Sequence, residues 1–138
     1  DIIIPLHPRT KKLLNVNLDS ATYDTFINNS RIHITEPVSF LEMISLEKNA
    51  SLVLTDSGGV QKEAYFFKKP CIIMRSETEW KEIVEVGAAI IADADEEKII
   101  EAYHHFKDND AIEFPEIFGD GRAAEFICKE LINNKTRS

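Results

Sequence analysis

Residues 54–63 read LTDSGGVQKE. An apolar run, Leu52-Val53-Leu54, ends in Thr55 and Asp56. Ser57, Gly58 and Gly59 then lead into a helical pattern. In open α/β sheets, ligands gather at the carboxyl ends of the strands, and this stretch is predicted to sit at such an end. Gly58 and Gly59 can adopt positive φ and let a ligand approach the backbone closely. Amides at the start of the next helix would point outward, at the positive end of its dipole. The Ser57 hydroxyl can donate to the same anion. These are the parts of a phosphate cradle without a lysine. Glu63 follows one turn into the helix. Like charge keeps it off a phosphate, but it could accept from two vicinal hydroxyls of an adjoining sugar. Phosphate at Ser57–Gly59 and ribose at Glu63 would describe a nucleotide. The spacing leaves open a plainer alternative: a tight strand-to-helix turn with a solvated acid where the dipole favours it. Neither GxGxxG nor GxxxxGK[ST] is present, which disfavours a dinucleotide dehydrogenase or a P-loop ATPase.

Other residues could serve the same edge. His7 and Arg9 follow the first apolar run, and Arg9 could meet a phosphate, a sugar carboxylate or a surface acid. Arg75 ends a later run and could touch a ligand or orient Glu77 and Glu79. Trp80, among acids, could line a cleft or join the core. The acids Glu77, Glu79, Glu82 and Glu85 read as a solvated helix face. His33, between Ile32 and Ile34, reads as a packed, hydrogen-bonded histidine. His104 and His105 are adjacent on a helix and point apart, whereas a metal pair wants i, i+4 spacing; no metal site and no cofactor are expected. No Ser/His/Asp or Cys/His set is visible.

The elements that must position these residues are short and regularly spaced. Ile2–Leu6, Ile32–Thr35, Leu52–Thr55, Cys71–Met74 and Ala88–Ala92 read as strands. Their continuous apolar character predicts cover on both faces. Helical patterns lie between them: weakly over 10–15 and 19–28, more strongly over 38–49. There Phe40, Leu41, Ile44 and Leu46 are expected inward, with Glu42, Glu47 and Lys48 outward. Val60, Ala64 and Phe67 mark the inner side of the helix after the glycines, with Tyr65-Phe66-Phe67 expected in the core. Residues 79–86 form a further helical pattern. Asp95 is a plausible N-cap for a helix over 96–106 with Ile99, Ile100, Tyr103 and Phe106 inward. A polar break, Lys107–Asp110, and the turn Gly119-Asp120-Gly121 precede a last helix over about 122–133. Its Ala123, Phe126, Ile127, Leu131 and Ile132 are expected inward. Strands alternating with helices imply right-handed βαβ units. The predicted fold is α/β, a Rossmann-like three-layer domain on a parallel sheet of five or six strands, without internal repeats.

Composition bounds the partners. The 138 residues suit one domain, and the net charge of -8 argues against a nucleic-acid or anionic-membrane face. No apolar stretch approaches a membrane span. Cys71 and Cys128 lie far apart and read as two reduced, buried thiols of a cytoplasmic protein. Asp1 leads straight into Ile2-Ile3-Ile4, as expected of a piece cut from a longer polypeptide.

The stretch Thr55-Asp56-Ser57-Gly58-Gly59-Val60-Gln61-Lys62-Glu63-Ala64 resembles the TDSGG-x-Q-x-E-A signature of the non-hydrolysing UDP-N-acetylglucosamine 2-epimerases. Pro5-Leu6-His7-Pro8-Arg9-Thr10 is similar to that family's P-x-H-x segment, and Glu36-Pro37-Val38-Ser39-Phe40 to its EP segment. Lys69-Pro70 through Met74-Arg75, with Glu77-Thr78-Glu79, resembles its GKP…R-x-x-TE segment. Gly119-Asp120-Gly121-Arg122-Ala123 matches its closing GDG-x-A turn. The motifs run in order and span nearly the whole chain. There are two departures: Trp80-Lys81 replaces the common Arg-Pro, and Lys68 replaces a small residue. With Gln61-Lys62-Glu63-Ala64-Tyr65-Phe66-Phe67, the Thr78-Glu79-Trp80 form resembles the branch acting on modified UDP-N-acetyl sugars.

The resemblance implies the C-terminal half of a glycosyltransferase-B type fold, with the N-terminal catalytic half absent. It implies that Ser57, Gly58 and Gly59 hold the diphosphate of UDP, Glu63 the ribose hydroxyls, and the backbone near Met43 the uracil. His7, Arg9 and Arg75 remain possible cleft residues. The implied reaction inverts the sugar at C2 by eliminating UDP and adding it back, in a parent that pairs as a homodimer. Two other readings use the same features: the donor-binding half of a UDP-sugar glycosyltransferase, and a non-catalytic nucleotide-binding module.

Overall fold

Strands and helices alternate along the computed structural model, which describes residues 1–109 and 111–135. Asp110, the end of the expected polar break, lies outside the described residues. The elements are β1 (Ile2–Pro5), α1 (Pro8–Asn17), α2 (Ser20–Ile27), β2 (Ile32–Thr35), α3 (Phe40–Asn49), β3 (Val53–Thr55), α4 (Gly58–Phe66), β4 (Cys71–Ile73), α5 (Lys81–Glu85), β5 (Ala89–Ile91), α6 (Glu96–Lys107) and α7 (Ala123–Lys135). Internal contacts divide the chain into two compact units, Asp1–Leu46 and Glu47–Ser138, with the boundary inside α3. No helix among the described residues is long and apolar enough to cross a membrane.

In the first unit, β1 and β2 pair in parallel, with Ile2 opposite Ile32 and Pro5 opposite Thr35. Pro8 enters α1 where its missing N–H costs nothing, and the His7 side chain caps the helix by accepting from the Arg9 amide. Asp19 caps α2 through the Thr22 amide at 3.0 Å. The strands here are not covered on both faces. In β2, Ile32 and Ile34 are half-buried while His33 and Thr35 are exposed, the period-2 pattern of a one-sided strand. His33 is therefore not the packed histidine expected: it is exposed, and its Nε2 lies 3.9 Å from Asp1.

In the second unit, β3, β4 and β5 form a parallel sheet in sequential order. Val53, Cys71 and Ala89 stand level across it. Side chains alternate across β4, so Cys71 and Ile73 join one core and Ile72 the other. The first core gathers Val53, Ala64, Tyr65 and Ile83 from β3, α4 and α5. The second gathers Ile72, Ala92, Ala102 and Phe106 under α6. This is a three-layer α/β arrangement. Among the described residues the hydrogen-bonded strands fall into two sheets, of two and three strands, where one of five or six strands was expected.

Helix faces differ from expectation in three places. In α6, capped by Asp95 as expected, the buried stripe is Ile99, Ala102 and Phe106, while Ile100 and Tyr103 are exposed. Spacings of three and four put residues 99, 102 and 106 on one line, with 100 and 103 on its flank. In α3, Phe40 and Leu41 are exposed and Glu47 is buried. In α7, Ala123, Phe126, Ile127, Leu131 and Ile132 are all exposed; the apolar stripe exists, but no described residue covers it. Of the aromatic run, Tyr65 is buried, Phe67 is half-buried and Phe66 is exposed. The Tyr65 hydroxyl donates to the Pro115 carbonyl. Cys71 is buried, but Cys128 is exposed on α7; both are free thiols. Among the described residues, no group of three or more His, Cys, Asp and Glu is placed to hold a metal.

Candidate functional site

Thr55 ends β3 with its side chain buried, and its Oγ1 accepts from the Ser57 amide at 3.0 Å. That bond turns the chain out of the strand and leaves Ser57 as the N-cap of α4, in an extended conformation. Ser57 makes no side-chain capping bond. The Gln61 amide bonds back to the Ser57 carbonyl at 3.1 Å, so the first turn leaves the N–H groups of Gly58, Gly59 and Val60 without intrahelical acceptors. Hydroxyl and amides thus lie together at the positive end of α4.

Neither Gly58 nor Gly59 uses positive φ, contrary to expectation; both are the first residues of α4, and helical geometry needs no glycine. Their reasons differ. A Cβ on Gly58 would meet Glu79 Oε2 at 3.0 Å and Trp80 Nε1 at 3.8 Å. A Cβ on Gly59 would meet only Ser57 Oγ, at an ordinary 3.8 Å. Nothing inside the protein demands a glycine at 59, and the residue is exposed.

A network from the loop after β4 fixes this turn. Trp80 Nε1 donates to the Gly58 carbonyl at 2.7 Å. The Trp80 amide donates to Thr78 Oγ1 at 3.0 Å, and Thr78 Oγ1 donates to Gln61 Oε1 at 2.6 Å. Thr78 and Gln61 are both buried. The Trp80 ring packs on the first core, and Lys62 Nζ lies 4.0 Å from its centroid. Arg75 grips Glu79 with two bonds, of 3.2 and 2.9 Å. Each holds the other charged: Glu79 raises the Arg75 pKa, and Arg75 lowers that of Glu79. The acids Glu77, Glu79, Glu82 and Glu85 are exposed, with Glu82 and Glu85 on α5.

Glu63 is half-buried on α4, and the sequence reading missed its neighbour. Glu47, near the end of α3, is 3% exposed, and neither of its carboxylate oxygens has a hydrogen-bond partner. Burial, and then the charge of Glu63, push its pKa up to about 7. The signal was available: Glu47 follows Met43 by four and precedes Ala50 by three, the spacing of one helix face. Its charge made it read as outward.

Of the remaining candidates, Met43 is half-buried on α3. His7 Nδ1 accepts from the Arg9 amide at 3.2 Å, and Arg9 is exposed. These three belong to the first unit, and β1 and β3 lie in different sheets. Within the second unit, Ser57, Gly58, Gly59 and Glu63 share α4 and its cap, and Arg75 bonds Glu79, whose Oε2 lies 3.0 Å from where a Cβ on Gly58 would stand.

A sequence profile of the UDP-N-acetylglucosamine 2-epimerase family matches residues 1–132. The UDP-N-acetylglucosamine 2-epimerase of Methanocaldococcus jannaschii is 45% identical over 134 residues, 97% of this chain and 36% of that protein. Its crystal structure in complex with UDP-GlcNAc and UDP superposes with a TM-score of 0.78, at 45% identity, over 96% of this chain and 35% of that one. The UDP-2,3-diacetamido-2,3-dideoxy-D-glucuronate 2-epimerase of Pseudomonas aeruginosa is 38% identical over 133 residues, 94% of this chain and 34% of that protein. The chain therefore spans about a third of the length of the relatives it matches. The α/β architecture expected from the sequence is the fold shared with these glycosyltransferase-B type enzymes. A profile match over almost every residue, with a superposable fold, makes this chain a member of the UDP-N-acetylglucosamine 2-epimerase family.

Proposed function

We propose that this chain is the UDP-binding, C-terminal part of an enzyme that inverts C2 of UDP-N-acetylglucosamine or a related UDP-N-acetyl sugar. The observation that carries the reading is the cap of α4. Ser57 keeps its hydroxyl out of capping, three first-turn amides lack intrahelical acceptors, and Gly59 leaves open space that the protein itself does not require. A diphosphate at that turn, with the ribose hydroxyls at Glu63, uses each of these features. The complex of the M. jannaschii enzyme with UDP-GlcNAc and UDP supports the ligand class. Roles for the Met43 backbone at the uracil, and for His7, Arg9 and Arg75 near the sugar, follow from the family resemblance.

The reaction suits such a turn. Breaking the anomeric C–O bond leaves negative charge on the departing diphosphate, and fixed amide dipoles stabilise that charge as it develops. Losing one such donor costs about 2–4 kcal/mol of barrier at comparable oxyanion sites. UDP held in place then adds back to the unsaturated sugar after the C2 proton returns on the other face. The acid/base groups for that proton are assigned to an N-terminal half. On this reading the present chain alone binds UDP weakly and does not turn over, and the complete enzyme is cytoplasmic and dimeric.

Isothermal titration calorimetry with UDP, UMP and ADP tests the binding site. UDP should bind most tightly, and Glu63→Ala should weaken it. Equal weak binding of all three would remove the reading. In the complete enzyme, the C2 proton of a UDP-N-acetyl sugar should exchange with deuterated solvent.

A further inference from the structure

The buried Glu47 has no place in the binding reading so far. It is 3% exposed with both Oε atoms unpartnered, an arrangement too costly for an ionised carboxylate. The titratable groups facing it are Glu63 from α4 and Cys71 from β4. Burial holds Cys71 as a neutral thiol, with its pKa pushed up to about 12. Glu63 is the less buried acid of the pair and retains access to solvent. Two ionised carboxylates in contact can only accept, so neither can bond the other. A proton on the more buried one creates an O–H donor that its neighbour can accept.

We propose that Glu47 is a positioning residue for Glu63: in the binding-competent state it carries a proton and donates it in a hydrogen bond to Glu63. One oxygen of Glu63 is thereby fixed from the protein side, and the other accepts from vicinal hydroxyls of the ligand. This deepens the reading of Glu63 as the ribose-binding acid and rests on it. When Glu47 ionises, repulsion replaces the bond, Glu63 loses its orientation and nucleotide affinity falls. The raised pKa of Glu47 puts that change near neutrality.

The test is UDP affinity by calorimetry between about pH 6 and pH 8.5, in the full polypeptide that carries this chain. Wild type, Glu47→Gln, Glu47→Leu and Glu63→Ala are compared. The terminal phosphate of UDP titrates in this range, so proteins are compared with one another at each pH. Glu47→Gln keeps a donor that does not ionise; it should match wild type near pH 6 and bind on the order of tenfold more tightly than wild type near pH 8.5. Glu47→Leu should be weaker than Glu47→Gln throughout. Parallel wild-type and Glu47→Gln profiles, with Glu63→Ala still weakening UDP, would overturn the role of Glu47 alone. An unchanged affinity in Glu63→Ala would instead overturn the ribose reading. Should Glu47→Leu fail to fold, carboxyl ¹³C shifts of the unliganded wild type decide: Glu47 should titrate near neutrality, and an ordinary carboxylate titration would overturn the proposal.

Discussion

The indole nitrogen of Trp80 donates to the carbonyl of Gly58 across 2.7 Å, tying the loop after β4 to the first turn of α4. Trp80→Phe keeps an aromatic ring against the core but removes the donor. A stability loss of about 0.5–1.5 kcal/mol follows from one net hydrogen bond. UDP affinity should fall with it, because the turn that presents the amides is less fixed. Urea unfolding and calorimetry on the same variant check both.

Gly59→Ala separates fold from ligand. The backbone there is helical and the added Cβ meets only Ser57 Oγ at 3.8 Å. Replacing a helical glycine should leave stability unchanged or raise it by up to about 1 kcal/mol. If the diphosphate binds at this turn as proposed, UDP affinity should drop, since the methyl group would occupy the open space beside Gly59. A variant that is less stable and binds UDP normally would contradict both halves.

Glu47 should make stability depend on pH in an unusual direction. Its folded pKa, about 7, lies above its ordinary value of 4.5. Between these values the unfolded chain has released a proton that the folded chain keeps, so stability falls as pH rises. The shift corresponds to a penalty on the order of 3 kcal/mol once both states are ionised. Glu47→Gln removes it, so its advantage over wild type should grow from pH 4.5 to 7 and then level off. Denaturant midpoints of the two proteins at several pH values measure this.

Thr78→Val should be costly. It strips the partner from the Trp80 amide and from the buried Gln61 Oε1 while keeping the side-chain volume. Orphaned polar groups of this kind cost about 1–3 kcal/mol each, and a thermal melt should show a fall of several degrees.

Lys68 is one position where a residue departing from the family pattern carries backbone strain. Its φ is 56°, and its amide bonds to the Tyr65 carbonyl while the Lys69 amide bonds to that of Ala64. This is a Schellman ending with a lysine where glycine is favoured. Lys68→Gly should stabilise the protein by up to about 1 kcal/mol, read as a higher urea midpoint.

The sequence showed most of the strands because apolar runs between turn residues have few other uses. Ile32–Thr35 emerged with its predicted bounds and the Asp95 cap formed as read. Strand pairing was not legible, since an apolar run does not name its neighbour; hence two sheets stand where one was expected. Side-chain type overruled spacing for Glu47, and spacing overruled context for α7, whose apolar stripe has no partner among the described residues. At the α4 turn, the motif marked the place but not the mechanics. Neither glycine adopts an unusual dihedral, Gly58 being held to glycine by the nearness of Glu79, and the bonds from Trp80 and Thr78 depend on a loop 17 to 22 residues away.

The contrast between the two cysteines makes the molecule its own probe. Cys128 is open to solvent on α7, whereas Cys71 sits in the central strand of the three-stranded sheet. A maleimide dye should label Cys128 at once and reach Cys71 only when that sheet comes apart. The rate of the second modification is then a stopwatch for opening of the core around β4, readable by mass spectrometry on the unmutated protein.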